Sequence, residues 1–120
     1  MGGVMSKEVC EFISVDVARV ARIRKSLPDD DLSRRMAEAF KVLSDPTRLK
    51  IVSALELEEL CVCDIAALAS LTQSLVSHHL QSLRQLNIVK YRRQGKMAFY
   101  SLSDSHIRAM MAIARDHSRE

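Results

Sequence analysis

Three cysteines carry the reactive sulfur of this chain: Cys10, Cys61 and Cys63. Cys61 and Cys63 are separated by one residue, which places them on opposite faces of a helix but on the same side of an extended segment. They could therefore share a metal ion only at a helix boundary, where a helix N-terminus favours the metal-binding thiolate. Cys10 is the only further thiol, and three sulfurs favour soft ions such as Cd(II), Pb(II) or Bi(III). The alternative is two small residues packed at a helix start.

A second set of ligand-type side chains lies near the C-terminus: Asp104, His106, His117 and Glu120. His106 and His117 are eleven residues apart, so on one helix they share a face but stand about 16 Å apart along the axis. Two antiparallel copies around a twofold axis could bring both sets together, with two equivalent sites. Imidazole and carboxylate ligands in a set of four suit tetrahedral Zn(II). The alternative is that Asp104 caps the helix and the other side chains are solvated.

Residues 73–87 predict a helix with one apolar face and one polar face. Val76, Leu80 and Leu83 recur at helical spacing on the apolar face. The polar face carries hydroxyl, amide and imidazole groups without a carboxylate, which suits base edges and phosphates in the major groove of DNA. The alternative is an ordinary solvated surface, although such surfaces usually mix Glu with Lys. The residues predicted to contact DNA from this helix are Gln73, Ser74, Ser77, His78, Gln81 and Arg84.

The flanking segments predict a helix-turn-helix followed by a wing. Residues 63–69 form a short Ala-rich helix and residues 70–72 the turn, with Thr72 as the N-cap of the second helix. Residues 88–102 alternate β-forming residues around Gly95, which supplies the positive φ that a tight hairpin needs. The expected fold class is therefore mainly α with a β-hairpin wing.

The charge pattern supports nucleic-acid binding by this region. Residues 65–103 contain no Asp or Glu, so the modest net charge of +3 hides a basic patch of one sign. The basic residues of that stretch are Arg84, Lys90, Arg92, Arg93 and Lys96. We expect Arg92, Arg93 and Lys96 on the wing to contact phosphates, whereas Ser74, Ser77, His78 and Gln81 read bases.

Further helices are predicted on both sides of this region. Residues 13–27 form an amphipathic helix of the kind that often serves as a dimer arm. The carboxylates of residues 29–31 begin a second helix, and Asp45 and Pro46 are the N-cap and first residue of a third. The last helix covers roughly residues 103–117. The predicted buried stripes of these three later helices are Leu32, Met36, Phe40 and Leu43; Leu49, Ile51, Val52 and Leu55; and Ile107, Met110, Met111 and Ala114.

Length and composition predict a flexible arm over residues 1–12 and one DNA-binding and dimerisation domain over residues 13–120. No apolar run approaches membrane-spanning length, and the N-terminus lacks the apolar segment of a signal peptide. We therefore expect a cytoplasmic protein whose thiols are reduced.

Four segments together carry a family signature. Residues 43–49 match L-x-D-P-x-R-L, residues 59–65 match ELCVCD(L/I), and residues 74–86 match a recognition helix with SHHL at its centre. The spacing from Asp104 to Glu120 reproduces D-x-H-(x10)-H-x-x-E. On these segments the chain resembles, over essentially its whole length, the ArsR/SmtB family of winged-helix metal-sensing repressors, and within it the CadC-type cadmium/lead repressors.

The resemblance implies an apo homodimer, with its N- and C-terminal helices at the interface, that binds operator DNA and represses a metal-efflux or resistance gene. It implies release by Cd(II) or Pb(II) at Cys10, Cys61 and Cys63, and Zn(II) at the C-terminal interfacial set. CadC-type proteins carry two N-terminal cysteines four apart, and Ser14 occupies the second position here, which leaves a three-thiolate site.

Three other classes of function remain as alternatives. The first is a zinc sensor regulated through the interfacial site, and the second is an interaction module that does not bind DNA. The third is a thiol-based redox protein. Cys-x-Cys is not the Cys-x-x-Cys of thiol oxidoreductases, and neither a Gly-rich phosphate loop nor an acid/base cluster occurs, so we do not expect an enzyme.

Overall fold

The computed structural model describes residues 8–120, and residues 1–7 of the predicted arm lie outside that part. The elements in chain order are α1 (Val17–Ser26), α2 (Asp30–Leu43), α3 (Pro46–Leu57), β1 (Leu60–Cys61), α4 (Val62–Ala69), α5 (Gln73–Gln85), β2 (Val89–Gln94), β3 (Met97–Leu102) and α6 (Ser105–Ser118). The described residues fall into two compact units, one ending at Ser33 and the other running from Arg34 to Glu120. No described helix combines the length and the apolar composition needed to cross a bilayer.

The first unit contains α1, which begins later than predicted. The Asp16 carboxylate accepts a hydrogen bond from the Arg19 backbone N–H at 3.0 Å and caps the helix. Ile13 precedes this cap and is fully exposed. The apolar period therefore predicted the helix, but the capping carboxylate decided where it starts.

The second unit contains the predicted helix-turn-helix, formed by α4 and α5. The Thr72 hydroxyl accepts a hydrogen bond from the Leu75 backbone N–H at 3.1 Å, which confirms Thr72 as the N-cap of α5. Val76, Leu80 and Leu83 are all 0% exposed, so the apolar face of α5 packs into the core. Their partners in that core from the helices and strands around α5 are Ile51, Val52, Leu55, Ile65, Ile88, Val89 and Leu102.

The wing is a three-stranded antiparallel sheet in the order β1-β3-β2, rather than a hairpin alone. The hairpin of β2 and β3 turns at Gly95, whose φ of +63° confirms the predicted left-handed residue. The additional strand β1 pairs Leu60 with Tyr100 and Cys61 with Phe99. Two residues are too few to show an alternating pattern, which is why the sequence did not predict β1.

The predicted buried stripes of the later helices are correct only in part. Buried as predicted are Leu43, Ile51, Val52, Leu55 and Met111. Exposed instead are Leu32, Met36, Phe40, Leu49 and Ala114. Helical period identifies residues that share a face, but it does not say whether another element of the same chain covers that face.

Two polar contacts hold α6 against α3. Arg108 Nη1 donates to the Glu56 backbone carbonyl at 2.7 Å, and Arg115 pairs with the Glu56 carboxylate, whose side chain is 14% exposed. The Asp104 carboxylate caps α6 by accepting from the backbone N–H groups of His106 and Ile107. The contacts of Arg108 and Arg115 with Glu56 therefore hold α6 against α3 within the second unit.

Candidate DNA-binding surface and metal ligands

The outward face of α5 presents the predicted base-reading residues together. Gln73, Ser74, Ser77, His78, Gln81 and Arg84 are all exposed. The opposite face is fully buried, so packing holds the helix from behind while these side chains stay accessible. The turn before α5 includes Ser70 at φ 57°, a left-handed conformation that the sequence did not predict. The geometry suits a recognition helix, which needs a free polar face on a rigid support.

A half-buried hydrogen bond joins α5 to α3. Arg48 Nε donates to His79 Nδ1 at 3.1 Å, and Arg48 Nη1 makes a longer contact to the Val42 carbonyl at 3.5 Å. The Asp45 carboxylate accepts from the Arg48 backbone N–H at 2.9 Å and caps α3, as predicted. His79 is thus a packing residue, as its position on the helix predicted, whereas the adjacent His78 is exposed. Sequence reasoning did not identify Arg48 as its partner.

The basic residues of the wing lie on two opposite faces of the sheet. Side chains alternate along a strand, so Lys90 and Arg92 share one face of β2 and Arg93 lies on the other. Lys96 is in the turn beside Gly95. All four cations are exposed, and only Arg92 has an acidic partner among residues 8–120.

Arg84 connects the recognition helix to the wing through an aromatic stack. Its guanidinium carbon lies 4.6 Å from the centre of the Tyr91 ring. Tyr91 in turn stacks on Tyr100, with ring centroids 5.5 Å apart. A cation over an aromatic face is attracted by the ring quadrupole, so this stack couples the end of α5 to β2 and β3. The sequence suggested Arg84 only as a DNA contact.

Arg92 differs from the other basic residues of the wing because it forms an ion pair with Glu59. Its Nε donates to both carboxylate oxygens of Glu59 at 3.1 Å, and its Nη2 donates to one of them at 2.7 Å. These hydrogen bonds raise the pKa of the Arg92 guanidinium. The prediction of a patch of one sign is therefore wrong at Arg92, because Glu59 precedes the acid-free run in sequence and β1 brings it beside β2.

Cys61 and Cys63 lie at a helix boundary, which is the location where two cysteines separated by one residue could share a metal ion. Cys61 ends β1 and occupies the N-cap position of α4, which begins at Val62 rather than at the predicted residue 63. Cys61 is buried and its thiol donates to the Asp64 carboxylate at 3.3 Å, whereas Cys63 is exposed. Cys10 is exposed and belongs to the first unit. One buried and one exposed thiol are consistent with both alternatives, that Cys61 and Cys63 are metal ligands and that they are packing residues.

The residues predicted as C-terminal metal ligands lie at both ends of α6. Asp104 Oδ1 caps the helix, while Oδ2 lies 3.6 Å from Nδ1 of His106, whose side chain is 88% exposed. His117 and Glu120 are exposed at the other end. Neither this set nor the thiols form a group of three or more His, Cys, Asp or Glu side chains close enough to hold a metal within residues 8–120 of a single chain.

An apolar groove of about 530 Å³ lies between α6, α3 and the end of α2. Phe40 is 60% exposed and Ile113 is 70% exposed, although both side chains are large and apolar. The lining residues are Phe40, Leu43, Leu49, Met110, Met111, Ile113, Ala114 and His117. A contiguous apolar surface with polar surroundings is typical of a protein–protein contact.

Comparison with known proteins places these features in a family. The family described as "Bacterial regulatory protein, arsR family" matches residues 45–91, from the cap of α3 into β2. A cadmium resistance transcriptional regulatory protein CadC homologue from Staphylococcus aureus is 42% identical and covers 97% of this chain and 96% of its own. A transcriptional repressor SmtB homologue from Synechocystis is 40% identical and covers 93% of this chain and 85% of its own.

Solved structures share the same architecture. One is the homodimeric winged helix-turn-helix DNA-binding domain of a possible ArsR-family transcriptional regulator from Mycobacterium bovis, with a TM-score of 0.73 at 25% identity over 78% of this chain and 89% of that one. HlyU from Vibrio cholerae aligns with a TM-score of 0.70 at 27% identity over 77% of this chain and 100% of that one. The fold and the full-length relatives show that this chain belongs to the ArsR/SmtB family of winged helix-turn-helix transcriptional regulators, which are DNA-binding proteins and not enzymes.

Proposed function

We propose that this regulator binds operator DNA as an apo homodimer, represses a metal-efflux or resistance gene, and is released by Cd(II), Pb(II) or Zn(II). The names of the CadC and SmtB relatives, a cadmium resistance regulator and a transcriptional repressor, support this function. The observation that carries the DNA-binding part is the exposed, carboxylate-free face of α5 over a fully buried apolar face. An operator-binding regulator of this kind works in the cytoplasm, where the chromosome is accessible.

In this proposal α5 reads bases and the wing contacts the backbone. Ser74, Ser77, His78 and Gln81 offer donors and acceptors to base edges in the major groove, with Gln73 at the helix start. Arg93 and Lys96 have no acidic partner in the described part of the chain and donate to phosphates. Arg92 can offer its Nε and Nη2 edge to a phosphate only when Glu59 releases that edge.

The homodimer is proposed to form over the apolar groove. A second copy would cover Phe40 and Ile113, which the single chain leaves exposed. The homodimeric relative from Mycobacterium bovis supports this assembly. A dimer would also let α5 from each copy reach successive major grooves of an operator with twofold symmetry.

Cys10, Cys61 and Cys63 are proposed as the regulatory ligands for Cd(II) or Pb(II). Their donor chemistry fits, because thiolates prefer soft ions, and a bound ion supplies strong bonds that fix its ligands in place. To become a ligand, Cys61 must give up its hydrogen bond to Asp64. Cys61 is also paired with Phe99 and occupies the N-cap position of α4, so a shift of Cys61 acts on both the wing and the helix-turn-helix. Ser14 leaves the set at three sulfurs.

Asp104, His106, His117 and Glu120 are proposed as Zn(II) ligands across the dimer. Imidazole and carboxylate donors fit Zn(II), and all four side chains are exposed in the single chain. His117 lines the apolar groove, so dimer formation over that groove would bring it toward a second copy. This location favours, as the second candidate function, a zinc sensor that is regulated through α6.

Titration of two variants on the promoter fragment upstream of the protein's own gene tests this function. Fluorescence anisotropy would follow release by Cd(II) and by Zn(II) from Cys61→Ser, which keeps the histidines, and from His106→Ala, which keeps the thiols. Release by Cd(II) should be lost in the first variant and kept in the second. The opposite pattern makes the α6 site the switch, and failure of the metal-free protein to bind duplex DNA in a salt-dependent way removes the proposal altogether.

A further inference from the structure

Glu59 is the only acidic residue among residues 8–120 that pairs with a basic side chain of the wing, and its partner is Arg92. The carboxylate takes the Nε and Nη2 edge of the guanidinium, with distances of 2.7 to 3.1 Å. The Gln94 side-chain oxygen takes Nη1 at 2.9 Å, and the Phe99 ring lies 4.9 Å from the guanidinium carbon. Each of the three guanidinium nitrogens of Arg92 therefore donates a hydrogen bond, and one face of the guanidinium lies against the Phe99 ring.

The pairing also cancels the charge that would attract DNA. Arg92 and Glu59 together carry no net charge, whereas Lys90, Arg93 and Lys96 have no acidic partner within residues 8–120. A bidentate carboxylate occupies the same donors that a bidentate phosphate would use. A phosphate that uses the Nε and Nη2 edge of Arg92 must displace Glu59.

Strand register explains why this pair forms. Arg92 lies opposite Phe99 on β3, and Phe99 lies opposite Cys61 on β1. Glu59 immediately precedes β1, so the outer strand of the sheet delivers its carboxylate to the side chain of β2. The contact is built by the three-stranded sheet and would not exist in a simple hairpin wing.

We propose that Glu59 is a positioning residue that masks Arg92, acting as an intramolecular substitute for phosphate and lowering the affinity of the wing for the DNA backbone. This proposal rests on the proposed DNA-binding function. The pair remains reversible, because the side chains of Arg92 and Glu59 are 54% and 35% exposed and water competes for both. Glu59 therefore reduces the binding contributed by Arg92 without abolishing it.

The test measures the affinity of the metal-free, full-length protein for its promoter fragment and for a duplex of unrelated sequence across a salt series. Glu59→Gln should tighten binding to both duplexes by about two- to fivefold at low salt, the range of an exposed ion pair. It should also steepen the plot of log affinity against log salt by up to about one unit, the effect of one added phosphate contact. Arg92→Gln leaves the Glu59 carboxylate without its cation and should weaken binding to both duplexes, whereas the double variant Glu59→Gln/Arg92→Gln, which keeps the neutral charge of the pair, should bind like the unsubstituted protein and so lose the whole gain of Glu59→Gln.

Two control variants separate masking from general charge effects and from failure of DNA binding itself. Glu58→Gln removes the same negative charge from the neighbouring residue. The Glu58 side chain is exposed and has no cationic partner in the described residues, so this variant should leave the salt slope unchanged. Lys96→Gln should weaken binding and flatten the slope by about one unit. Loss of affinity or no change in Glu59→Gln, or an equal gain in Glu58→Gln, would overturn the masking proposal. An unchanged slope in Lys96→Gln would instead overturn the proposed wing contact.

Discussion

The hydrogen bond between Arg48 and His79 allows a sharp test of how the recognition helix is held. His79→Leu removes the acceptor that lies 3.1 Å from Arg48 Nε and leaves the guanidinium only its longer contact to Val42. A hydrogen bond to a charged group contributes about 1.5 to 3 kcal/mol. Both side chains are half-buried and water can replace part of the bond, so we expect His79→Leu to lower the free energy of unfolding by about 1 to 2 kcal/mol.

Thermal unfolding at a fixed protomer concentration measures this loss. An unfolding entropy near 2.1 cal/mol/K per residue over 120 residues converts the loss into a fall in Tm of about 4 to 8 °C. His79→Asn should recover part of it, because its side-chain oxygen can accept from Arg48. The slope of DNA affinity against salt should stay unchanged in His79→Leu, because neither partner is a proposed phosphate contact.

The matched control is His78→Leu, the same substitution on the adjacent, exposed residue, which should change stability by less than about 0.5 kcal/mol. A double-mutant cycle with Arg48→Met isolates the pair and should give a coupling of about 1 to 2 kcal/mol. Equal effects of the two histidine substitutions, or a coupling near zero, would refute the reasoning.

Four further predictions address the core, the wing, the dimer and the thiolate set. Leu80→Ala should lower the free energy of unfolding by about 2 to 5 kcal/mol in a denaturant titration, since Leu80 is fully buried, whereas Leu68→Ala on the exposed side of α4 should cost far less. Tyr91→Leu should weaken DNA binding by about two- to fivefold because Arg84 loses its stacking surface, while Tyr91→Phe, which keeps the ring, should not; equal losses in both would contradict the stack. Ile113→Glu in the apolar groove should yield monomers in sedimentation, whereas Leu57→Glu, exposed outside the groove, should remain dimeric. The near-ultraviolet absorption of the Cd(II) complex should correspond to three sulfurs, fall to two in Cys10→Ser and rise to four in Ser14→Cys; an unchanged intensity in Cys10→Ser would remove Cys10 from the site.

Features that depend on neighbouring residues could be predicted from the sequence. Thr72 and Asp45 cap their helices because a short oxygen-bearing side chain reaches a backbone N–H three residues later. Gly95 adopts positive φ because the hairpin turn is local. Val76, Leu80 and Leu83 could be assigned to one face of α5 because they recur every three to four residues along the sequence. The helix-turn-helix, the hairpin and the polar face of α5 all follow from interactions of this short range.

Contacts between distant segments were decided only by the tertiary structure. Arg48 meets His79, and Glu59 meets Arg92, across more than thirty residues, and no local pattern encodes which acid or acceptor reaches which cation. Apolar side chains of α2, α3 and α6 recur at the same helical period as those of α5, yet Phe40 and Leu49 stay exposed because no element of the same chain covers them. Side-chain period specifies a face, whereas burial and ion pairing depend on strand register and on the placement of whole helices.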